Sequence, residues 1–470
     1  MHPSIGFLYV LSEWAVRFVM LVYVPQRRSP AAARTWLLLI FLLPWPGLLL
    51  YAMIGRIKFP AWRLARQRQA SGLIHEWQRS HPSVMDARGA GTQIPALVRA
   101  LGDFRAVAGN TVELLPDYDL SIARLARDID AARESVHLLY YIFADDARGG
   151  QVVAALLRAR DRGVECRVLV DAVGSRKFAL AALLKRLQAA GIPAREALPA
   201  GMFRRNAARF DLRNHRKVAV IDHRVGYAGS QNLVNPGFVA GYPNEELVAR
   251  VTGPIVLQLE AVFLQDWFFE TGELPTDPDA IALPAPTGSS LAQILPSGPG
   301  YERENAQELL VHLFHRAERR LVITTPYFVP DDPFLQALRT AVRRGVEVRL
   351  VVANPVDRWI MAFAQRSYFD ELLAAGVRIF MYRPHFLHAK HVTVDDDLAI
   401  VGSVNTDIRS FALNAEMALL VYDPAVVTAM RVVQERYFAD SIELTSEGWA
   451  RRPLWRRIAQ NTARLADSLL

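Results

Sequence analysis

Two apolar stretches open the chain, "IGFLYVLSEWAVRFVMLVYV" from Ile5 and "TWLLLIFLLPWPGLLLYAMIG" from Thr35. Each approaches the roughly 20 residues that a helix needs to cross a bilayer, so the pattern predicts two membrane spans. Glu13 and Arg17 interrupt the first, at an i,i+4 spacing that lets them pair on one helical face. No basic residue precedes that stretch and a second follows at once, which favours a retained anchor over a cleaved signal. Beyond about residue 95, helical periodicity alternates with short β-branched runs. "VVAALLRARDRGVECRVLVDA", a helix closed by glycine and followed by a strand, is one such unit. This alternation predicts α/β layered sheets.

The pattern then repeats. "LRNHRKVAVIDHRVGYAGSQN" begins at Leu212 and "FLHAKHVTVDDDLAIVGSVN" at Phe386, with histidine, lysine, aspartate and Gly-Ser-x-Asn at one spacing in both. "YIFADD" at Tyr141 matches "YFVPDD" at Tyr327, "RGVECRVLV" at Arg162 matches "RGVEVRLVV" at Arg344, and "NEELVARV" at Asn244 matches "NAEMALLV" at Asn414. Matched landmarks in one order mark an internal duplication. The Pro/Gly/Ser-rich "ELPTDPDAIALPAPTGSS" reads as the linker between copies. The expected organisation is a two-span anchor over residues 1–56, a basic interfacial linker over 57–95, and two pseudo-symmetric α/β/α lobes over 96–285 and 286–470. Equivalent residues of the lobes should meet about an approximate two-fold axis, giving one composite site.

Composition narrows the partners. A formal charge of +8 points to an anionic partner, either nucleic acid or acidic lipid. The single cysteine, Cys166, lies in an apolar run, so intramolecular disulfides and cysteine metal sites are excluded. Arg27, Arg28 and Arg34 lie between the apolar stretches, whereas Arg56, Lys58, Arg63, Arg66 and Arg68 follow the second. The heavier basic flank places the large C-terminal portion on the cytoplasmic side. "GRIKFPAWRLARQRQ", with Trp62, and "GWARRPLWRRIAQ", with Trp449 and Trp455, read either as surfaces for anionic headgroups or as ordinary basic segments.

Within "HRKVAVID" the alternation predicts a strand with His215 and Lys217 on one face and Asp222 at its turn; His388, Lys390 and Asp395 repeat this. The return strands bring a glycine able to admit a ligand, and the hydrogen-bonding groups of Ser230, Asn232, Ser403 and Asn405. Two such sets face to face suit a phosphodiester. One neutral histidine can attack phosphorus while the other, protonated, gives its proton to the departing oxygen. The lysines, serines and asparagines would hold the equatorial oxygens, with no metal or other cofactor. Zinc hydrolysis is the rival chemistry, disfavoured by a lysine beside each histidine and by the lack of further ligands. Satisfied core histidines are a second rival, disfavoured by the duplication. His312 and His315 on one helix, His391, His385 and His223 read as packing, surface or loop residues, and Asp396 and Asp397 as turn residues.

The paired motif resembles the signature HxKx4Dx6GSxN of the phospholipase D superfamily, matched in full from His215 to Asn232 and from His388 to Asn405. Along essentially its whole length the chain resembles the bacterial cardiolipin synthases of that superfamily, through "YYIFADD", "DLRNHRKVAVID", "LPSGPG", "TPYFVPDD", "LHAKHVTVDD" and "VGSVNTDIRSFALNAE". The resemblance implies a multi-pass protein of the bacterial inner membrane that exchanges a phosphatidyl group between two phosphatidylglycerol molecules. His215 would be the nucleophile and His388 the general acid and then base, although symmetry also permits the reverse. Lys217, Lys390, Ser230, Asn232, Ser403 and Asn405 would hold phosphate, and Asp222 and Asp395 would fix the motif's geometry. Glu246 and Glu416 would orient the histidines, with Glu245 a competitor of Glu246. The partners implied are phosphatidylglycerol and anionic membrane lipid, not nucleic acid. Hydrolysis of phospholipid, or less readily of nucleic acid, by the same machinery is the alternative. The ending "RLADSLL" departs from the family, which commonly carries a proline there.

Overall fold

Strand Ser290–Ser297 pairs antiparallel with Val107–Leu115 on one side and with Glu416–Tyr422 on the other, and so joins the two halves of the chain into one sheet. The structure, a computed structural model, describes residues 3–28, 30–55, 59–80, 93–200, 209–273, 283–301 and 304–464. Its sheet has 15 strands. Outward from the seam, the first half runs Val107–Leu115, Val248–Thr252, Val225–Gly229, Lys217–Ile221, Ser135–Tyr140, Glu165–Asp171 and Ala194–Ala197. The second half runs Ser290–Ser297, Glu416–Tyr422, Leu398–Gly402, His391–Val394, Arg320–Thr325, Glu347–Ala353 and Arg378–Tyr382 in the corresponding order, with Ser441–Leu444 at its edge. Inner pairs are antiparallel, while Ser135–Tyr140 with Glu165–Asp171 and Arg320–Thr325 with Glu347–Ala353 are parallel. The sheet is therefore mixed, as expected where helical crossovers follow hairpins.

Helices cover both faces. On one, Val256–Thr271 and Pro424–Ala439, one from each half, close a single apolar core that contains Leu139, Val218, Val351 and Leu419. The other face has a separate core for each half, one under Gly149–Asp161 and the other under Asn305–Arg316 and Asp332–Arg343. Cys166 is buried in the first of these. Residues 274–282 of the Pro/Gly/Ser-rich linker lie outside the described residues.

The N-terminal region differs from the expectation of two spans. Gly6–Tyr23 is long and apolar enough to cross a membrane, and Arg17 pairs with Glu13 at 3.4 Å on its side. The second stretch is not one helix. It breaks between Pro30–Leu42 and Pro44–Ile54, helices of 13 and 11 residues, because Pro44 offers no N–H and forbids helical geometry at Leu43. The two fold back on each other: a Cβ on Gly47 would lie 2.9 Å from the Ile40 Cα, and the rings of Trp36 and Tyr51 meet at 5.2 Å. At about 1.5 Å per residue each arm reaches about 20 Å or less, short of a hydrocarbon core of about 30 Å.

The basic segment after the anchor is helical over Ala61–Ser80 and docks on the body. Arg63 pairs with Glu270 at 2.6 Å, and Arg66 donates to the carbonyls of Phe268 and Phe269. These two arginines are thus turned to protein, not to headgroups; Arg56 and Lys58 lie outside the described residues.

Asp222 and Asp395 end their strands with φ of +50°, where each carboxylate collects a row of backbone donors. Asp222 accepts from the N–H groups of Arg133, Glu134 and Ser135, and Asp395 from those of Glu318, Arg319 and Arg320. Both bind the strand end to the start of the neighbouring antiparallel strand. Hydrogen bonds to charged groups contribute about 1.5–3 kcal/mol each, so Asp222→Ala or Asp395→Ala should lower stability by at least about 2 kcal/mol. Denaturant titration of the detergent-solubilised protein checks this, and an unchanged midpoint would contradict the anchoring role.

Candidate active site

The two histidines stand just before their strands, not within them, where the chain crosses to the other half. The strands begin at Lys217 and His391. Upstream, the His215 N–H donates to the Ala415 carbonyl and the Ala415 N–H to the Arg213 carbonyl, both at 2.8 Å. The symmetric crossing pairs Phe386–Leu387 in parallel with Asn244–Glu245, and the His388 and Ala389 N–H groups donate to the Glu245 carbonyl at 2.8 and 2.9 Å. A glutamate of each half is thereby set against the imidazole of the other.

Glu416 lies 2.9 Å from His215 Nδ1, and Glu246 lies 2.7 Å from His388 Nδ1. A carboxylate on Nδ1 fixes the tautomer with its proton there, which leaves the Nε2 lone pair as the reactive position. Each glutamate is held in turn. Asn244 Nδ2 donates to Glu246 and Asn414 Nδ2 to Glu416, both at 3.3 Å, and Ser410 Oγ adds a bond to Glu416 at 3.1 Å. Glu245 faces elsewhere, with Arg436 at 2.7 Å and His385 at 2.9 Å. The structure therefore places Glu246, not Glu245, on the histidine.

Lys217 donates to the carbonyl of His215 at 2.5 Å, and Lys390 to that of His388. Each histidine also feels the lysine of the other motif, which ties the two sets into one electrostatic unit. Burial dominates. It draws His215 down to about 4 against the upward pull of Glu416, with Lys217 adding to the fall. His388 is lowered by burial in the same way. Lys217 falls to about 7 and Lys390 to about 8, again chiefly through burial. Burial pushes Glu246 and Glu416 upward, but the histidine and lysine beside each outweigh it and hold both below the ordinary glutamate value. Burial thus disfavours the charged form of both imidazoles.

The remaining motif residues divide. Ser230 Oγ accepts from the Leu247 N–H and Ser403 Oγ from the Met417 N–H, both at 3.0 Å, and each serine also bonds the adjoining glutamate. They buttress the carboxylates. Asn232 Oδ1 takes the Ile142 N–H at 3.1 Å, whereas Asn405 Oδ1 is buried without a partner. A Cβ on Gly229 would strike the Leu247 carbonyl at 2.4 Å, and one on Gly402 the Met417 carbonyl at 2.2 Å. These glycines admit the neighbouring strand, in place of the expected ligand. Asp222 and Asp395 lie at the far ends of the motif strands, as described above.

Sequence reasoning missed the group that breaks the symmetry. Arg216, wholly buried, donates through Nε to the Glu416 carbonyl at 2.9 Å, through Nη2 to the Ser297 carbonyl at 3.2 Å, and pairs with Asp266 at 2.7 Å. Asn214 donates to the same Asp266 at 2.9 Å. The second motif has Ala389 in the position of Arg216, and that departure from the repeat was the available signal. The ring neighbours differ too. Tyr141 lies 4.7 Å from His215 with Lys217 Nζ 5.3 Å from its ring, whereas Phe238 and Phe386 flank His388 at 5.5 and 5.7 Å.

Among the described residues, none of the other histidines reaches this cluster. His391 stacks on Tyr437 in the core, His223 bonds Ser135 in a turn, and His312 and His315 lie on Asn305–Arg316. Asp396 pairs with Arg319 and Arg431, and Asp397 with Arg316, at the surface. Among the described residues, no group of three His, Cys, Asp or Glu side chains is placed to hold a metal ion.

Comparison with known proteins identifies the family. The family described as "Cardiolipin synthase, PLD-like domain" matches residues 125–267 and 310–437, and the one described as "Phospholipase_D-nuclease N-terminal" matches residues 10–56. Cardiolipin synthase A of Pectobacterium carotovorum subsp. carotovorum (strain PC1) is 36% identical over 98% of this chain and 97% of its own. Cardiolipin synthase A of Yersinia pseudotuberculosis serotype IB (strain PB1/+) is likewise 36% identical over the same shares. The crystal structure of phosphatidylserine synthase from Haemophilus influenzae Rd KW20 shares the fold, with a TM-score of 0.63 over 81% of this chain and 100% of that one at 15% identity. Fold and paired motifs are those of a phospholipase D-type enzyme. Within that class, the chain belongs to the cardiolipin synthase family.

Because Glu246 and Glu245 point to different partners, their amides should separate. Glu246→Gln should lower turnover at least about 100-fold by loosening the tautomer and charge of His388. Glu245→Gln should keep most of it. Initial rates of lipid product formation decide the matter; equal losses would argue against the assignment of Glu246.

Proposed function

We propose that this protein joins two molecules of phosphatidylglycerol into cardiolipin and releases glycerol. The observation that carries the reading is the crossed pairing of His215 with Glu416 and His388 with Glu246, flanked by Lys217 and Lys390, in a chain of the cardiolipin synthase family. In the first step the Nε2 lone pair of neutral His215 attacks the phosphorus of one phosphatidylglycerol. The bond from phosphorus to the glycerol oxygen breaks, and His388, protonated, gives that oxygen its proton. In the second step His388 takes the proton of a glycerol hydroxyl on a second phosphatidylglycerol. That oxygen attacks phosphorus, the P–N bond breaks, and His215 is restored.

The protonation required of His388 follows from the substrate. A phosphodiester brings a negative charge among the lysines and imidazoles, and this favours their protonated forms. Lys217, Lys390 and the amide groups of Asn232 and Asn405 would hold the equatorial oxygens. The pull of Glu416 and the tyrosine beside His215 support it as the nucleophile, and the apolar rings beside His388 shelter the proton-transfer position from water.

In this reading residues 1–56 form the anchor, and 96–285 and 286–470 each contribute one histidine. Gly6–Tyr23 crosses the bacterial inner membrane and the helical hairpin enters it part way, a single crossing in place of the two first expected. Arg27 and Arg28, directly after the crossing, set the catalytic halves on the cytoplasmic side. Both substrates then arrive by diffusion in one leaflet.

Incubation with phosphatidylglycerol vesicles and mass spectrometry of the lipids should give cardiolipin with equimolar glycerol. Phosphatidic acid without cardiolipin would make the protein a hydrolase. His215→Ala and His388→Ala should each abolish turnover, and only His388→Ala should accumulate a phosphatidyl adduct; equal adduct in both overturns the division of roles.

The pH dependence has a defined sign. The folded pKa of each lysine is depressed, so the charge that holds phosphate is present below about 7 and 8 and lost as pH rises through them. With the coupled group titrating together, kcat/KM for a short-chain phosphatidylglycerol should fall across that window, while its acid limb lies well under 6.5. A profile flat from pH 6.5 to 9 would refute the buried-lysine account.

A further inference from the structure

The helix Leu454–Arg464 is oriented opposite to a helix on a soluble surface. Its small and polar residues face the protein: Gln460 is buried and accepts from Arg452 Nε at 2.9 Å, Ala463 packs on the second-half core, and Arg464 lies 4.3 Å from the centre of the Tyr368 ring. Its large apolar residues face outward, with Leu454 69%, Trp455 61% and Ile458 58% exposed. The helix Trp359–Ser367 packs along it and begins with a further exposed tryptophan, Trp359, 73% exposed. Trp449, by contrast, is turned inward onto Phe369 at 5.4 Å, so only one of the two tryptophans in this segment is offered to the outside. Water is a poor medium for such a surface.

Its charges are of one sign. Arg456 and Arg457 are exposed, and Arg366 lies beneath Arg456, its pKa lowered by burial and by that neighbouring charge. Among the described residues none of the three has a carboxylate partner. Unpaired guanidinium groups rimming an apolar patch match the phosphate layer of an anionic bilayer. The patch also borders the active site. Arg358, next to Trp359, acts electrostatically on Tyr141, and Asp357 accepts from the Tyr327 hydroxyl at 2.6 Å. The chain leaving the anchor docks nearby, with Phe59 against Leu212 and Leu413, close in sequence to His215 and Glu416.

We infer that Trp359, Leu454, Trp455 and Ile458 form a second membrane-contact surface, seated in the acyl region of an anionic bilayer with Arg456 and Arg457 on its phosphates. With the anchor it fixes the catalytic mouth against one leaflet from two sides. The inference uses the lipid-substrate reading only for its purpose, because seating requires no turnover.

The full chain, reconstituted in vesicles of phosphatidylethanolamine and phosphatidylglycerol, tests it. An environment-sensitive fluorophore is attached to a cysteine placed at position 455, 458, 19 or 120; native Cys166 is buried and unlabelled. Val19 lies on the apolar anchor helix, and Leu120 is exposed on the first half. Probes at 455 and 458 should shift to the blue and be quenched by acyl-chain nitroxide lipids as strongly as the probe at 19, while the probe at 120 stays unquenched. Quenching at 455 no greater than at 120 overturns the inference. So does a probe at 455 that is shielded from aqueous iodide yet untouched by nitroxide lipid, which would mean that protein covers the patch.

Discussion

Each half of this protein depends on the other for the carboxylate that makes its histidine useful. The Glu416–His215 and Glu246–His388 contacts are reached because short parallel backbone pairings cross between the halves just before the motif strands. Most of the architecture serves that crossing. The continuous sheet fixes the distance between halves, the shared core behind it prevents their separation, and the aspartates tie the far ends of the motif strands to their neighbours. Arg216 adds a direct tie from the first motif to the backbone of Glu416.

The charges of the site are coupled. Two buried lysines and two buried glutamates act on the two imidazoles, so the protonation of each group depends on the others. In the proposed reaction a monoanionic phosphodiester would favour the protonated forms of these basic groups, which is the state that departure of the leaving group needs.

The residues of the candidate site are legible because they are duplicated: His215, Lys217, Asn232 and their counterparts stand out by spacing alone. The layered fold was legible from periodicity for a related reason, since buried parallel strands and crossover helices alternate on a short scale. What sequence left open was long-range direction. Nothing in "NEELVARV" says whether Glu245 or Glu246 meets a histidine, or that the histidine belongs to the other copy; both follow from a strand pairing between residues about 140 positions apart. The spacing of the motif also does not show that its serines and glycines meet Leu247 and Met417, which lie 14 or more positions further along the chain. Apolar composition at the N-terminus counted residues correctly but could not register that Pro44 turns the chain back, and an arginine count could not distinguish Arg63, turned to Glu270, from Arg457, turned to solvent.

The seam strand has an evolutionary consequence. If the halves descend from a symmetric pair of identical chains, every substitution in the ancestor struck both ends of the axis at once. Joining them removed that penalty, and Arg216 opposite Ala389 is a difference no homodimer could have kept. The fused polypeptide could thus let one imidazole specialise in bond making and the other in moving protons, a division of labour closed to its parent.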